Sequence, residues 1–121
     1  MMIRIANQIA KNNQFQILLT GESIGQVSSQ TLENISVIEN VTQLPILRPV
    51  ITMNKQEIVE LAKKINTYDI SILPHEDCCT LFVPRHPATK PRLKNILANE
   101  KKLAVDKLCT EAASNPEIQE F

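Results

Sequence analysis

The stretch Phe15-Gln16-Ile17-Leu18-Leu19-Thr20-Gly21-Glu22-Ser23-Ile24-Gly25 decides the fold, because an apolar run passes directly into a loop that holds both glycines of the chain. Residues 15–20 are predicted to form a buried strand, and the apolar spacing over residues 26–40 predicts the helix that follows. Ser28 or Ser29 would cap that helix. In open α/β folds, ligands bind where strands end and helices begin. The glycine loop is therefore the first candidate for a nucleotide site.

The remaining elements are predicted by the same spacing rules. Helices are expected over residues 1–12, after the capping-box sequence Asn54-Lys55-Gln56-Glu57, and again from Lys90. A short strand is predicted at residues 46–48, with residues 50–52 as an extension, whereas residues 69–73 fit either a strand or a turn of helix. Strands that alternate with helices predict an α/β fold, a parallel sheet with flanking helices. Two or three strands suggest half of a doubly wound domain.

The composition excludes several classes of protein. Lys+Arg and Asp+Glu are both 13 among 121 residues, so a globally basic nucleic-acid-binding protein is excluded, although a local basic patch is not. Aromatic residues are 3% of the chain, which argues against stacking platforms for single-stranded nucleic acid. No apolar run reaches about 18 residues and no signal peptide is evident, so we expect a cytoplasmic protein without a membrane span.

Three groups of residues could carry chemistry, and each has a plainer interpretation. Gly21 and Gln30 could contact an adenosine or a phosphate, or simply belong to a strand-to-helix turn. Cys78 and Cys79 could be activated by nearby cations, or be inert thiols. Cys109 is expected to be core. The last group could follow a phosphate backbone or be a solvated surface, and it consists of Arg85, His86, Lys90, Arg92 and Lys94.

Six blocks of sequence together resemble the tRNA 4-thiouridine sulfurtransferase family, which also supplies sulfur for the thiazole of thiamine. The likeness runs from Met1 to about Leu97. The blocks are Thr20-Gly-Glu-Ser-Ile-Gly-Gln-Val-Ser-Ser-Gln-Thr31, Leu47-Arg-Pro49, Asn54-Lys55-Gln56-Glu57, Ser71-Ile-Leu-Pro74, Glu76-Asp-Cys-Cys79 and Pro87-Ala-Thr-Lys-Pro91.

The resemblance implies a partial adenine nucleotide alpha hydrolase-like domain, of the PP-loop, Rossmann-like type. Residues 1–97 would be the C-terminal half of this catalytic domain, and residues 98–121 a helical tail. In the family, ATP with Mg²⁺ adenylates a uridine of tRNA, and a persulfide sulfur from a cysteine desulfurase or another donor then displaces AMP. Gly21 and Gln30 match positions that contact ATP, and Cys79 matches the cysteine that attacks the persulfide.

The sequence departs from the family pattern in one respect: it contains no Ser-Gly-Gly-x-Asp-Ser loop, the segment that binds pyrophosphate. We therefore expect one wall of an ATP site, and weak or no ATP binding by this polypeptide alone. Arg85, Lys90 and Arg92 are the candidates for contact with RNA. One alternative is a non-catalytic binding or assembly fragment, active only with its missing half or as a homo-oligomer. Another is a redox or metal protein that uses Cys78 and Cys79.

Overall fold

A computed structural model describes residues 1–27, 29–74, 86–114 and residue 116. Within these ranges the chain forms six helices and two strands. In chain order they are α1 Met2–Asn12, β1 Leu18–Leu19, α2 Leu32–Glu39, β2 Ile46–Leu47, α3 Lys55–Lys64, α4 Tyr68–Ser71, α5 Leu93–Glu100 and α6 Val105–Ser114.

The two strands pair in parallel and confirm the predicted α/β class with flanking helices. Leu18 lies opposite Ile46, and Leu19 lies opposite Leu47. The Thr20 amide donates to the Leu47 carbonyl at 3.0 Å, so the ladder continues to the edge where the glycine loop begins. Both strands are only two residues long, which is shorter than predicted from the sequence.

The core is thin and aliphatic. Among the described residues the buried apolar side chains are Ala10, Leu18, Ile35, Cys109 and Ala113. Helix α6 packs on α1, which places Cys109 in the core as the sequence predicts. Arg4 of α1 also forms a two-pronged ion pair with Glu100 of α5, with nitrogen–oxygen distances of 3.1 and 2.7 Å.

Helix α2 begins later than predicted, at Leu32 rather than near residue 26. Gly25 adopts a φ of 77°, and its amide donates to the Gln30 carbonyl at 2.9 Å. This left-handed conformation turns the chain at Gly25 and is incompatible with a right-handed helix there. The cap is Thr31, whose hydroxyl accepts from the Asn34 amide, so the prediction of Ser29 as cap is wrong. Ser28 lies outside the described residues.

The predicted extension of β2 over residues 50–52 is also wrong. The Ile51 amide donates to the Arg48 carbonyl at 3.2 Å, and the Met53 amide donates to the Val50 carbonyl at 3.0 Å. These two successive turns use the amides that a ladder would need. Residues 69–73, which fitted either type of element, contribute a short helix, α4.

Helix α3 starts as predicted. Asn54 Oδ1 accepts from the amides of Gln56 and Glu57, at 2.9 and 3.1 Å, and the Glu57 carboxylate accepts from the Asn54 amide at 2.7 Å. This reciprocal capping box fixes the point at which the chain leaves the β2 turns. None of the helices that the structure describes has the length and apolar character needed to cross a membrane.

Candidate nucleotide-binding site

A cavity of about 450 Å³ opens between the glycine loop, residues 20–30, and the first turns of α3. Its volume lies within the range of about 300–1,000 Å³ that is usual for small-molecule sites. Gly21, Ser23 and Gln30 line it from the loop, and Lys55 and Ile58 line it from α3. The structure thus brings the two residues predicted to contact ATP, Gly21 and Gln30, to the same cavity.

Gly21 and Gln30 each present a feature that suits a bound ligand: open space above the backbone of Gly21, and a buried acceptor on the side chain of Gln30. A Cβ atom built on Gly21 would meet no atom within 4 Å, so the space above its backbone is open. The Oε1 atom of Gln30 is buried and has no hydrogen-bond partner among the described residues. A buried acceptor left unpaired costs about 1–3 kcal/mol. A ligand that donates a hydrogen bond there, such as the amine of an adenine, would remove that cost.

Lys55 is a residue of the cavity that sequence reasoning did not single out. It occupies the first helical position of α3, directly after the cap Asn54, and it lines the cavity. The amides of Gln56 and Glu57 are already bonded to Asn54. At the amino end of α3, an anion would therefore bind the ammonium group of Lys55 rather than those two amides. The capping-box sequence, which predicts where the helix begins, was the available signal.

Arg48, directly after β2, stabilises the glycine loop through hydrogen bonds of its guanidinium group. Its side chain is only 8% exposed. Its Nε donates to Glu22 Oε2 at 2.8 Å, and its Nη1 donates to Glu39 Oε1 at 2.7 Å. The Thr20 hydroxyl donates to the same Glu22 oxygen at 3.0 Å. One guanidinium therefore holds the residue after Gly21 and the last turn of α2 together.

Ser23 and Ile24 fasten the same loop to the segment that leads into α3. The buried Ser23 hydroxyl donates to the Met53 carbonyl at 2.5 Å. The Ile24 amide donates to the Ile51 carbonyl at 2.9 Å. Because Met53 directly precedes Asn54, these bonds fix the loop relative to the α3 wall of the cavity. This role of Ser23 was not predictable from the sequence, because its acceptor is 30 residues away.

Of the residues predicted to contact RNA, Lys90 and Arg92 lie on the surface just before α5, and both are exposed. They do not line the cavity. The carbonyls of Ala88 and Thr89, immediately before Lys90, accept hydrogen bonds from the first turn of α2. Arg85, Cys78 and the predicted sulfur-carrying residue Cys79 lie outside the described residues.

Comparison with known proteins gives consistent matches along almost the whole chain. A probable tRNA sulfurtransferase of Halothermothrix orenii is 58% identical over 123 residues, which cover 100% of this chain and 31% of the relative. A probable tRNA sulfurtransferase of Moorella thermoacetica is 56% identical and covers 98% of this chain and 30% of the relative. The chain thus spans about a third of the length of these curated relatives.

A solved structure is also similar. It is the crystal structure of a 4-thiouridine synthetase–RNA complex with bound ATP, with a TM-score of 0.80 and 44% sequence identity. The match covers 93% of this chain and 29% of that one. The family described as thiamine biosynthesis protein (ThiI) matches residues 1–105. With most of its length matched in sequence and in fold, this chain belongs to that family.

Proposed function

We propose that this chain forms one wall of the ATP site of a tRNA sulfurtransferase, an enzyme that converts a tRNA uridine to 4-thiouridine and supplies sulfur for thiamine. The observation that carries the proposal is the cavity in which Gly21, Gln30 and Lys55 converge. The similar crystal structure is a 4-thiouridine synthetase–RNA complex with bound ATP, and it supports the proposal that ATP and RNA are the ligands. We further propose residues 1–97 as part of the catalytic domain and residues 98–121 as its tail.

Each residue of the cavity has a role that its chemistry suits. The open backbone of Gly21 lets a flat or anionic group approach closely. Gln30 Oε1, which has no partner among the described residues, accepts a hydrogen bond from the base. The Lys55 ammonium pairs with a phosphate, since amine side chains bind phosphate as point charges. ATP, when bound, supplies the adenylyl group that turns the uridine oxygen into a leaving group.

The sulfur step is assigned to Cys79, and the RNA contact to Arg85, Lys90 and Arg92. In this proposal the Cys79 thiolate attacks the inner sulfur of a donor persulfide, forms a disulfide with the donor cysteine and releases the terminal sulfur as hydrosulfide. The hydrosulfide attacks the activated carbon of the uridine and displaces AMP, and an external thiol then reduces the disulfide. The donor persulfide would come from a cysteine desulfurase or a similar protein. The described residues form no cluster of three metal-ligating side chains.

A chimera tests the proposal. Residues 1–121 replace the matching segment of the full-length Halothermothrix orenii relative, and 4-thiouridine in tRNA is measured together with ATP binding. Gln30→Ala should raise the KM for ATP about tenfold, since one hydrogen bond to the base is lost. Cys79→Ser should abolish 4-thiouridine while ATP and tRNA binding persist, and Cys78→Ser is the matched control. Wild-type thiouridine levels in Cys79→Ser would refute the sulfur assignment.

A second candidate is a non-catalytic assembly module. Phe15, Leu19 and Leu47, on and beside the two strands, are 61%, 67% and 49% exposed. Exposed apolar side chains on a short sheet with open edges favour association with another chain. Size-exclusion chromatography of the isolated 121-residue chain, with and without the rest of the Halothermothrix orenii relative, distinguishes the two. Association without any thiouridine activity in the chimera would favour this candidate.

A further inference from the structure

Two side chains in the first turn of α2 reach a distant segment of backbone. The Thr31 hydroxyl donates to the Thr89 carbonyl at 2.8 Å, 58 positions along the chain. The Asn34 side-chain amide donates to the Ala88 carbonyl at 3.0 Å and to the Thr31 oxygen at 2.9 Å. Thr31 also caps α2, because its oxygen accepts from the Asn34 backbone amide at 3.2 Å. One small network thus joins the start of α2 to residues 88–89.

The tethered segment carries the exposed cation Lys90 and leads to Arg92. Residues 86–91 belong to no helix or strand of the described chain, whereas the carbonyl of Arg92 already accepts from amides in the first turn of α5. Pro87 and Pro91 restrict the backbone on either side, since proline fixes its own φ and limits the residue before it. Two hydrogen bonds to adjacent carbonyls are then enough to orient the short stretch between the prolines.

The other end of the network lies at the cavity. Thr31 directly follows Gln30, whose carbonyl accepts from the Gly25 amide at 2.9 Å and whose buried Oε1 has no hydrogen-bond partner within the described part of the chain. The turn that places the Gln30 side chain in the cavity therefore also places the hydroxyl that holds Thr89.

We propose that Thr31 and Asn34 are positioning residues that hold the Ala88–Lys90 segment at a fixed distance from the nucleotide cavity, so that RNA bound by Lys90 and Arg92 is aligned with ATP. The inference rests on the proposed function, because it takes the cavity as the ATP site and the two cations as RNA contacts. It adds a physical connection between the two sites. Neither Thr31 nor Asn34 touches the reacting atoms in this proposal.

Asn34→Asp separates this role from helix stability. The carboxylate cannot donate to the Ala88 carbonyl, so it removes that tether and repels the acceptor. An acidic residue near the amino end of a helix is stabilising, so α2 should remain folded. The added negative charge could itself weaken RNA binding. Asn95→Asp is the matched control. Asn95 is likewise the third residue of a helix, α5, and the substitution adds the same negative charge near Arg92.

The assay measures the dissociation constant of the chimera for an unmodified tRNA transcript, with and without ATP, together with kcat and both KM values. Asn34→Asp should weaken tRNA binding about tenfold relative to Asn95→Asp, the loss of one oriented hydrogen-bonded contact. The KM for ATP should stay within about twofold, because the loop-side contacts of Gln30 are unchanged. Thr31→Ser keeps the hydroxyl, and with it both the cap of α2 and the bond to Thr89, and should behave as wild type.

Equal tRNA affinities for Asn34→Asp and Asn95→Asp would overturn the inference. So would a rise confined to the KM for ATP, or a loss of activity that follows a lower melting temperature, since each indicates support of the fold alone. An unsubstituted chimera that makes no 4-thiouridine would contradict the proposed function. The tRNA dissociation constants would still decide the inference, because binding is measured without turnover.

Discussion

Replacing Arg48 with methionine should loosen the glycine loop more than the rest of the fold. The substitution keeps an unbranched side chain but removes the guanidinium that bonds Glu22 and Glu39. A hydrogen bond to a charged group contributes about 1.5–3 kcal/mol. The Glu22 side chain is 19% exposed, so its carboxylate would be incompletely rehydrated after the change. The Glu39 side chain is 55% exposed, and such a pair contributes at most about 1 kcal/mol.

One contribution opposes these losses. The Nη2 atom of Arg48 is buried without a partner among the described residues, a cost of about 1–3 kcal/mol that methionine would relieve. Taken at the middle of each range, the balance is a loss of about 1 kcal/mol, or about fivefold in the closed-to-open equilibrium of the loop. Because Glu22 is the less exposed partner, most of this loss should belong to the Arg48–Glu22 bond.

Amide hydrogen exchange followed by NMR measures the effect locally. The Ile24 amide, bonded to the Ile51 carbonyl, reports opening of the loop, and the Leu18 amide, bonded to the Pro45 carbonyl, reports the sheet. Protection of Ile24 should fall about fivefold in Arg48→Met and less than about twofold in Glu39→Gln. The reasoning fails if Ile24 keeps its protection, or if Glu39→Gln has the same effect as Arg48→Met.

Three further predictions concern other parts of the fold. Hydrogen bonding from Arg4 lowers the pKa of Glu100 below its ordinary 4.5. The pair therefore stabilises the protein above that pH, and its contribution is lost as the pH falls through the lowered pKa. The free energies of unfolding of wild type and Glu100→Gln, measured by urea titration, should converge in acid. Ser23→Ala leaves the Met53 carbonyl without its donor and should cost about 1–3 kcal/mol, read from urea unfolding; Ser23→Thr, which keeps the hydroxyl, is the comparison. Cys109→Ser puts a hydroxyl in the α1–α6 contact and should lower the free energy of unfolding by about 1–2 kcal/mol, whereas an unchanged value would mean that water reaches the site.

The fold was predictable where local signals agree with tertiary packing. The capping box of Asn54 and Glu57 involves side chains three residues apart, and helix α1 follows from apolar spacing, so both were predicted correctly. The prediction of a helix over residues 26–31 was wrong because the spacing of their apolar residues resembles that of a helix. The left-handed φ of Gly25 and the cap at Thr31 depend on bonds that the spacing of apolar residues does not reveal.

The candidate site was predictable in part for a similar reason. Gly21 and Gln30 lie on a continuous block of sequence, so the resemblance identified them as candidates, and the structure then placed both at one cavity. Lys55, Arg48 and Ser23 were missed because their roles depend on contacts between distant segments. Ser23 bonds a carbonyl 30 residues away, and Arg48 bonds a carboxylate 26 residues away. The ATP, RNA and sulfur roles themselves remain predictions.

The positive φ of Gly25 determines which enantiomer of alanine could replace this glycine without strain. Its φ of 77° is strained for an L-residue but ordinary for the mirror-image one, and a Cβ in the L position already meets no atom within 4 Å. A D-alanine, introduced by chemical ligation, should therefore suit the φ of this turn and stabilise the chain by about 0.4–1 kcal/mol, because it restricts the unfolded state. L-alanine at the same position should destabilise it. Handedness alone would then distinguish two peptides of identical composition.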